Sequence, residues 1–190
     1  MDLCKELAPG EIPLYVEVCP VSDALPNECF INVTNQIKKK GGDIQHGWNI
    51  TGLPSIFLEA AFHAVWISPS GSCIDIAPKA SDPFDIRQIL FLPDKKRIYQ
   101  GRQVNNVMKP LRDDRIIREY IEVNGKIFDA RNRGKLTDQR KVVVTDEIRR
   151  LSLQGEELMK KMMQLIGPNS PCPCWSGRKN KKCCKIGYSF

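Results

Sequence analysis

Four cysteines lie close together near the end of the sequence, and their spacing is that of a metal site. They follow the pattern C-x-C, eight intervening residues and then C-C, and they are Cys172, Cys174, Cys183 and Cys184. Four thiolates can complete a closed tetrahedral zinc site with Zn–S distances of about 2.3 Å. Because so short a peptide cannot fold by apolar burial alone, the metal would supply its folding free energy. The sequence therefore predicts one Zn2+ bound by these four thiols.

Basic residues surround the predicted metal site. A zinc ion with four thiolates is a negatively charged group, and nearby positive charge stabilises the thiolate form of cysteine. The basic residues of this segment are Arg178, Lys179, Lys181, Lys182 and Lys185. Arginine and lysine beside an aromatic residue, here Trp175, would also suit RNA. Protein, lipid and RNA all remain open as targets of this segment.

The segment is similar to the SEC-C motif, the zinc-binding module that closes the SecA translocase and ends many small bacterial proteins. The matching residues are the P-C-P-C opening at 171–174, Ser176 with Gly177, the basic run and the pair Cys183 and Cys184. Trp175 stands where the family usually has glycine, and Asn180 stands where it usually has an aromatic residue. In SecA the module serves partner and lipid contacts. The resemblance therefore implies a docking element, and a closed four-cysteine site has no open position for a substrate.

A second set of residues could perform thiol chemistry. Cys29 lies near the start of a helix predicted over residues 28–40, a position that favours the thiolate form of a cysteine. His63 lies within a long predicted strand, and Asp75 lies on the strand that returns from it. The alternative is structural: Cys29 would be a small core residue, and His63 a core histidine bonded to Glu59 or to the backbone.

The order of these residues resembles that of the papain-like and transglutaminase-like cysteine fold. A cysteine at a helix start is followed by the stretch HAVW, which begins with His63, and by the stretch DIAP, which begins with Asp75. The resemblance implies that Cys29 is the nucleophile, His63 its general base and Asp75 the group that orients the imidazole. Asn27 and Gln36 are the candidates for a side chain that binds the oxyanion.

The turn between the two strands decides whether His63 and Asp75 can meet. For the two residues to be direct cross-strand neighbours, the loop must contain an odd number of residues and be centred on Pro69. A four-residue loop over 68–71 would instead pair His63 with Ile76 and turn Asp75 to the other face.

The elements that would position these residues predict an α+β fold, with a mixed, mainly antiparallel sheet, a helix on one face, two C-terminal helices and a zinc tail. The hairpin over 57–78 is long and nearly uncharged, so we place it at the centre of the sheet. Further strands are predicted over 14–18, 45–50, 89–92 and 96–100, and further helices over 113–132 and 145–167. Gly125 weakens the first of these helices, so two shorter segments are an alternative.

Three segments follow from this organisation. We predict an α+β domain over 1–143, a connecting helix over 144–167 and a zinc-binding tail over 168–190. Proline, glycine and serine around residue 168 have the composition of a linker.

The composition is that of a basic globular protein. The formal net charge is +7 and the isoelectric point about 9.0, which favours acidic partners such as nucleic acid, anionic lipid or ribosomal surfaces. No apolar run has the length of a signal peptide or of a spanning helix, so we expect a cytoplasmic protein. In that compartment eight cysteines indicate metal binding or catalysis before disulfides.

These observations support three functions. The first is a zinc-bearing accessory or adaptor protein whose basic tail docks on a protein partner within a larger machine. The second is a cysteine hydrolase or acyl transferase of the transglutaminase-like type. The third is a basic RNA-binding module, which no repeat of aromatic and basic residues supports.

Overall fold

The computed structural model describes residues 2–79, 86–133 and 143–185, and it confirms the α+β class. The helices are α1 (Asp2–Leu7), α2 (Cys29–Lys40), α3 (Arg115–Asn132) and α4 (Asp146–Gln164), with a short 3-10 turn at Asn180–Lys182. The strands are β1 (Leu14–Val18), β2 (Asp43–Leu53), β3 (Phe57–Ile67), β4 (Cys73–Asp75), β5 (Gln88–Pro93) and β6 (Val107–Pro110). In these parts of the chain, no helix combines the length and apolar character needed to cross a membrane.

The strands form one sheet in the order β2-β5-β1-β4-β3-β6. The pairs β1–β5, β2–β5 and β3–β4 are antiparallel, whereas β1 and β4 run parallel. Because β2 also pairs with β3, the pairings of the first five strands close into a ring. The hairpin of β3 and β4 lies within this ring, as its apolar sequence predicts.

One predicted strand is wrong, and one observed strand was missed. Residues 96–100 do not form a strand, because the carboxylate Oδ1 of Asp94 accepts hydrogen bonds of 3.0 Å from the backbone N–H groups of both Lys96 and Arg97. Such an aspartate turn competes with strand pairing. The sixth strand of the sheet is instead β6, which follows later in the chain.

Helix α2 covers one face of the sheet. Its buried residues Cys29 and Val33 pack against Ala64, Ile76 and Ala77. It ends at Gly41, whose positive φ of 73° suits glycine and whose N–H donates to the carbonyl of Ile37. The prediction of a helix over 28–40 is therefore correct to within one residue.

The chain divides into two compact units. The first contains Met1–Thr51 and Ala60–Gln100, and the second contains Gly52–Glu59 and Gly101–Phe190. The division into three segments, which was predicted from the sequence, stays a prediction.

The second unit is organised by two helices with side-chain N-caps. Asp114 accepts from the N–H of Ile116 at the start of α3, and Thr145 accepts from the N–H of Ile148 at the start of α4. Helix α3 is continuous through Gly125. Gly155 of α4 faces α3, and a Cβ at this position would lie 3.7 Å from a methyl of Val123, an ordinary van der Waals contact.

Candidate active site and candidate metal centre

Cys29 is the first residue of α2, as the sequence predicts. The first intrahelical bond runs from the N–H of Asn32 to the carbonyl of Glu28 at 2.9 Å, so the N–H groups of residues 29–31 precede the hydrogen-bond ladder. The side chain of Glu28 does not cap them. The thiol of Cys29 therefore lies at the positive end of an uncapped helix.

Asn32 holds the segment that leads into this helix, and sequence reasoning missed it. Its buried side chain accepts from the N–H of Leu25 at 2.9 Å and donates to the carbonyl of the same residue at 2.8 Å. This bidentate contact determines how the chain enters α2. A polar residue one turn after the helix start was the signal available in the sequence.

The hairpin places His63 and Asp75 on the same face of the sheet. Ile67 pairs with Cys73 across a loop of five residues centred on Ser70. Continuing this register sets Asp75 opposite Val65, two residues from His63 and on its face. The loop has the odd length that the shared face requires, but its centre lies one residue beyond the expected Pro69.

The two side chains meet despite this offset. The Nε2 atom of His63 lies 3.1 Å from Oδ2 of Asp75, and the aspartate is fully buried. The other carboxylate oxygen, Oδ1, accepts from the N–H of Ala77 at 3.0 Å, and Lys79 donates to Oδ2 at 2.5 Å. Every contact of the carboxylate is thus with a donor, which favours its charged form.

Cys29 completes the cluster, because its side chain interacts with that of His63 and favours the protonated ring. Since Nε2 of the ring faces Asp75, Nδ1 is the nitrogen left for the thiol. The structural alternative bonds His63 to Glu59 or to the backbone; the carboxylate of Glu59 accepts from Asn106 at 2.6 Å. The structure therefore brings together the three residues singled out in the sequence.

The interactions within the cluster favour the protonated form of His63 and the ionised form of Asp75. Burial alone would lower the pKa of His63, but its hydrogen bonds with Asp75 and Cys29 and their negative charge raise that pKa to about 9. Burial alone would raise the pKa of Asp75, but His63 and Lys79 hold it below its usual value. The ring is accordingly a strong acceptor for the proton of a thiol.

The two side chains predicted to bind the oxyanion lie at different distances along the chain from Cys29. Gln36 lies seven residues after Cys29 on the same helix, about 10 Å along the axis at 1.5 Å per residue, so it is not beside the sulfur. Asn27 lies two residues before Cys29 in the left-handed conformation, with a φ of 61°. The backbone N–H groups at the start of α2 are further donors, which the sequence analysis did not consider.

Aromatic rings next in sequence to Cys29 and His63 form a cluster. The ring of Phe30 stacks on Tyr99 at 3.9 Å between centroids and lies 5.4 Å from the ring of Phe62. Trp48 lies 5.3 Å from Phe62, and the guanidinium of Arg97 lies 5.3 Å from the centroid of Trp48. The cluster depends on contacts between distant segments, so sequence reasoning did not find it.

The four tail cysteines form a cage of the size that zinc requires. A tetrahedron with metal–sulfur distances of about 2.3 Å has edges of about 3.8 Å. The sulfur of Cys174 lies 3.4 Å from that of Cys172 and 3.5 Å from that of Cys183, and the sulfurs of Cys183 and Cys184 are 3.9 Å apart. All four ligand atoms lie within 4.8 Å of one another. The donor set therefore fits a closed tetrahedral site for a metal ion.

The electrostatics of the cage also favour a cation. Hydrogen bonds from the hydroxyl and the backbone of Ser176 lower the pKa of Cys174 to about 6. Hydrogen bonds with the thiols of Cys172 and Cys174 raise the pKa of Cys184 to about 12. Four thiolates this close repel one another, and a bound divalent ion would remove that penalty.

The two residues that depart from the SEC-C pattern differ in conformation and burial. Trp175 has a φ of 59°, a left-handed conformation that glycine adopts at lower cost, and its indole N–H donates to the carbonyl of Gly52 at 3.1 Å. Asn180 is fully buried, and its backbone N–H donates to the carbonyl of Ser170. The tail is therefore anchored to other residues of the second unit.

Comparison with known proteins found a relative that aligns with only part of the chain. No family model matches it, and no solved structure matches it. The chain is 33% identical over 66 residues to the UPF0225 protein plu2503 of Photorhabdus laumondii subsp. laumondii. This alignment spans less than half of that relative, 42% of its length, and 34% of the present chain. Over about a third of its length, the chain is thus similar to a UPF0225 protein, and it carries a four-cysteine cluster that fits a metal ion.

Proposed function

We propose that the protein is a thiol-dependent hydrolase or acyl transferase that uses Cys29 as its nucleophile. The observation that carries this proposal is the buried ring of His63, which contacts Asp75 on one side and Cys29 on the other. A nucleophile, a base and a group that orients the base are the three parts that covalent acyl transfer requires.

Each step can be assigned to an atom of the cluster. The Nδ1 atom of His63 accepts the thiol proton of Cys29, and the carboxylate of Asp75 stabilises the resulting imidazolium. The sulfur then forms a bond with the carbonyl carbon of an acyl substrate. The oxygen of this carbonyl becomes an oxyanion, for which the N–H groups at the start of α2 are the available donors.

The second half of the cycle returns the thiol. When the tetrahedral intermediate collapses, the bond between carbon and leaving group breaks, and His63 donates its proton to that group. A water, alcohol or amine then attacks the thioester of Cys29 while His63 accepts its proton. Expulsion of the sulfur, which regains its proton from the imidazolium, releases the acyl product. Water as the acceptor gives a hydrolase, and the other acceptors give a transferase.

Trapping the thioester tests this proposal. The full-length protein is mixed with p-nitrophenyl acetate, quenched in acid and digested, and the acetylated cysteines are identified by mass spectrometry. We expect an acetyl group on Cys29 that is lost in Cys29→Ser and strongly reduced in His63→Ala. His46→Ala is the matched control and should behave like the unaltered protein. Absence of acetylation at Cys29, or equal acetylation in His63→Ala, contradicts the proposal.

We propose that the tail binds one zinc ion and docks the protein on a protein partner. The closed cage supports a structural metal without an open coordination position. Trp175 is 58% exposed, and Arg178, Lys179 and Lys181 of the same segment are exposed as well. An exposed aromatic ring among basic groups is typical of a recognition surface, with arginine and aromatic residues as common anchors.

The docking proposal is tested with charge-reversed tails. Binding is measured by affinity capture with the unaltered protein, with Lys181→Glu combined with Lys182→Glu, and with Cys29→Ser. We expect a protein that is retained by the first and third samples and lost from the second. Zinc content must be equal in all three, so that loss of binding reports the surface alone. Capture that disappears after ribonuclease treatment would contradict a protein partner and support the RNA-binding alternative.

A further inference from the structure

Two cations share one oxygen of the buried aspartate. Nε2 of His63 lies 3.1 Å from Oδ2 of Asp75, and Nζ of Lys79 lies 2.5 Å from the same oxygen. The side chain of Lys79 is 22% exposed, so its ammonium group is only partly hydrated. The other oxygen of Asp75 is occupied by the N–H of Ala77.

This sharing has an electrostatic consequence for the histidine. The ammonium of Lys79 neutralises part of the negative charge that Asp75 presents to the ring, and it also repels a protonated imidazole. Both effects make the imidazolium less stable than Asp75 alone would make it. A general base that must return its proton to the leaving group benefits from such a limit, because a proton held too tightly is not released.

We propose that Lys79 is a positioning residue that limits how strongly Asp75 holds the proton of His63. The proposal rests on the proposed thiol chemistry of Cys29, since it concerns the same base. Within the described residues, three side chains from three elements interact with the ring. Cys29 contacts it from α2, Asp75 contacts it from β4, and the uncharged ring of Phe91 on β5 meets it edge-on at 6.4 Å. Lys79 acts on the ring through the shared oxygen.

The chain contains two histidines, so the proton equilibrium of His63 can be followed directly. The imidazole resonances of the full-length protein, labelled with 15N, are recorded by NMR between pH 5 and 10.5. We expect the midpoint of His63 near 9 in the unaltered protein and at least half a pH unit higher in Lys79→Met. Lys79→Arg keeps the charge and should restore the original midpoint. Lys95→Met, which removes an exposed lysine, is the control and should change nothing.

The outcomes separate this inference from the proposed function. An unchanged His63 midpoint in Lys79→Met overturns the role of Lys79, even when Cys29 is acetylated normally. A midpoint that shifts in Lys79→Arg as much as in Lys79→Met also overturns it, because the effect would then follow packing and not charge. Conversely, failure of Cys29 to form a thioester in the unaltered protein refutes the enzyme while the titration still reports on Lys79.

Discussion

Replacing Asp75 with asparagine should slow the reaction of Cys29 with an alkylating agent. Asparagine keeps the shape of the side chain and an acceptor for the N–H of Ala77, but it removes the charge that His63 contacts. Without that charge, burial favours the neutral ring. The thiol of Cys29 then faces a weaker proton acceptor.

The size of the expected decrease in the alkylation rate follows from the proton equilibrium of His63. With a pKa of about 9, the ring is almost fully protonated at pH 7.5. At the ordinary value of about 6.5 only about a tenth of the rings are protonated, and burial lowers this fraction further. The rate of alkylation at Cys29, which depends on this ring as proton acceptor, should therefore fall by roughly tenfold.

The assay measures alkylation of each cysteine by iodoacetamide at pH 7.5, with the exposed Cys19 as an internal reference. Asp94→Asn is the matched control, because Asp94 is also a buried carboxylate but bonds to Trp48 and to backbone N–H groups. Circular dichroism must show that both variants are folded. A rate at Cys29 in folded Asp75→Asn within twofold of the original would refute the reasoning.

Three further predictions concern stability and metal binding. Because the pKa of His63 is raised in the folded state, its contribution of about 3 kcal/mol is fully present below pH 6.5 and is lost as pH rises through about 9. Chemical denaturation should show a flatter profile in this range for His63→Ala and an unchanged one for His46→Ala. Replacing both Cys183 and Cys184 with serine should abolish the one equivalent of zinc found by metal analysis, and equal zinc in both proteins would refute the cage. Deleting residues 168–190 should preserve a cooperative thermal transition, because the hydrogen bond from the indole N–H of Trp175 to Gly52 is worth only about 1 kcal/mol. Loss of that transition would show that the tail is required for folding.

The features that can be predicted from the sequence are those that depend on interactions within a short stretch of chain. Thr145 and Gly41 mark the ends of their helices because a side-chain cap and a left-handed residue act within one turn. The four-cysteine cage follows from spacing, since its ligands lie within a short segment. Cys29 at a helix start is likewise a local feature. The error over residues 96–100 was also local, because the side chain of Asp94 takes the N–H groups that a strand would use.

The tertiary structure decided which contacts form between separate segments of the chain. The alternation of the hairpin places His63 and Asp75 on one face only for a loop of odd length, and the five-residue loop that sets their offset was not readable from turn residues alone. The ring of strand pairings depends on backbone positions far apart in sequence, and the contact of His63 with Asp75 depends on the register of two strands. Periodicity reports which face a residue occupies, but the cost of burying a charge depends on which partners the fold brings within hydrogen-bond distance. The sequence alone therefore determined which groups could react, and the fold determined which of them meet.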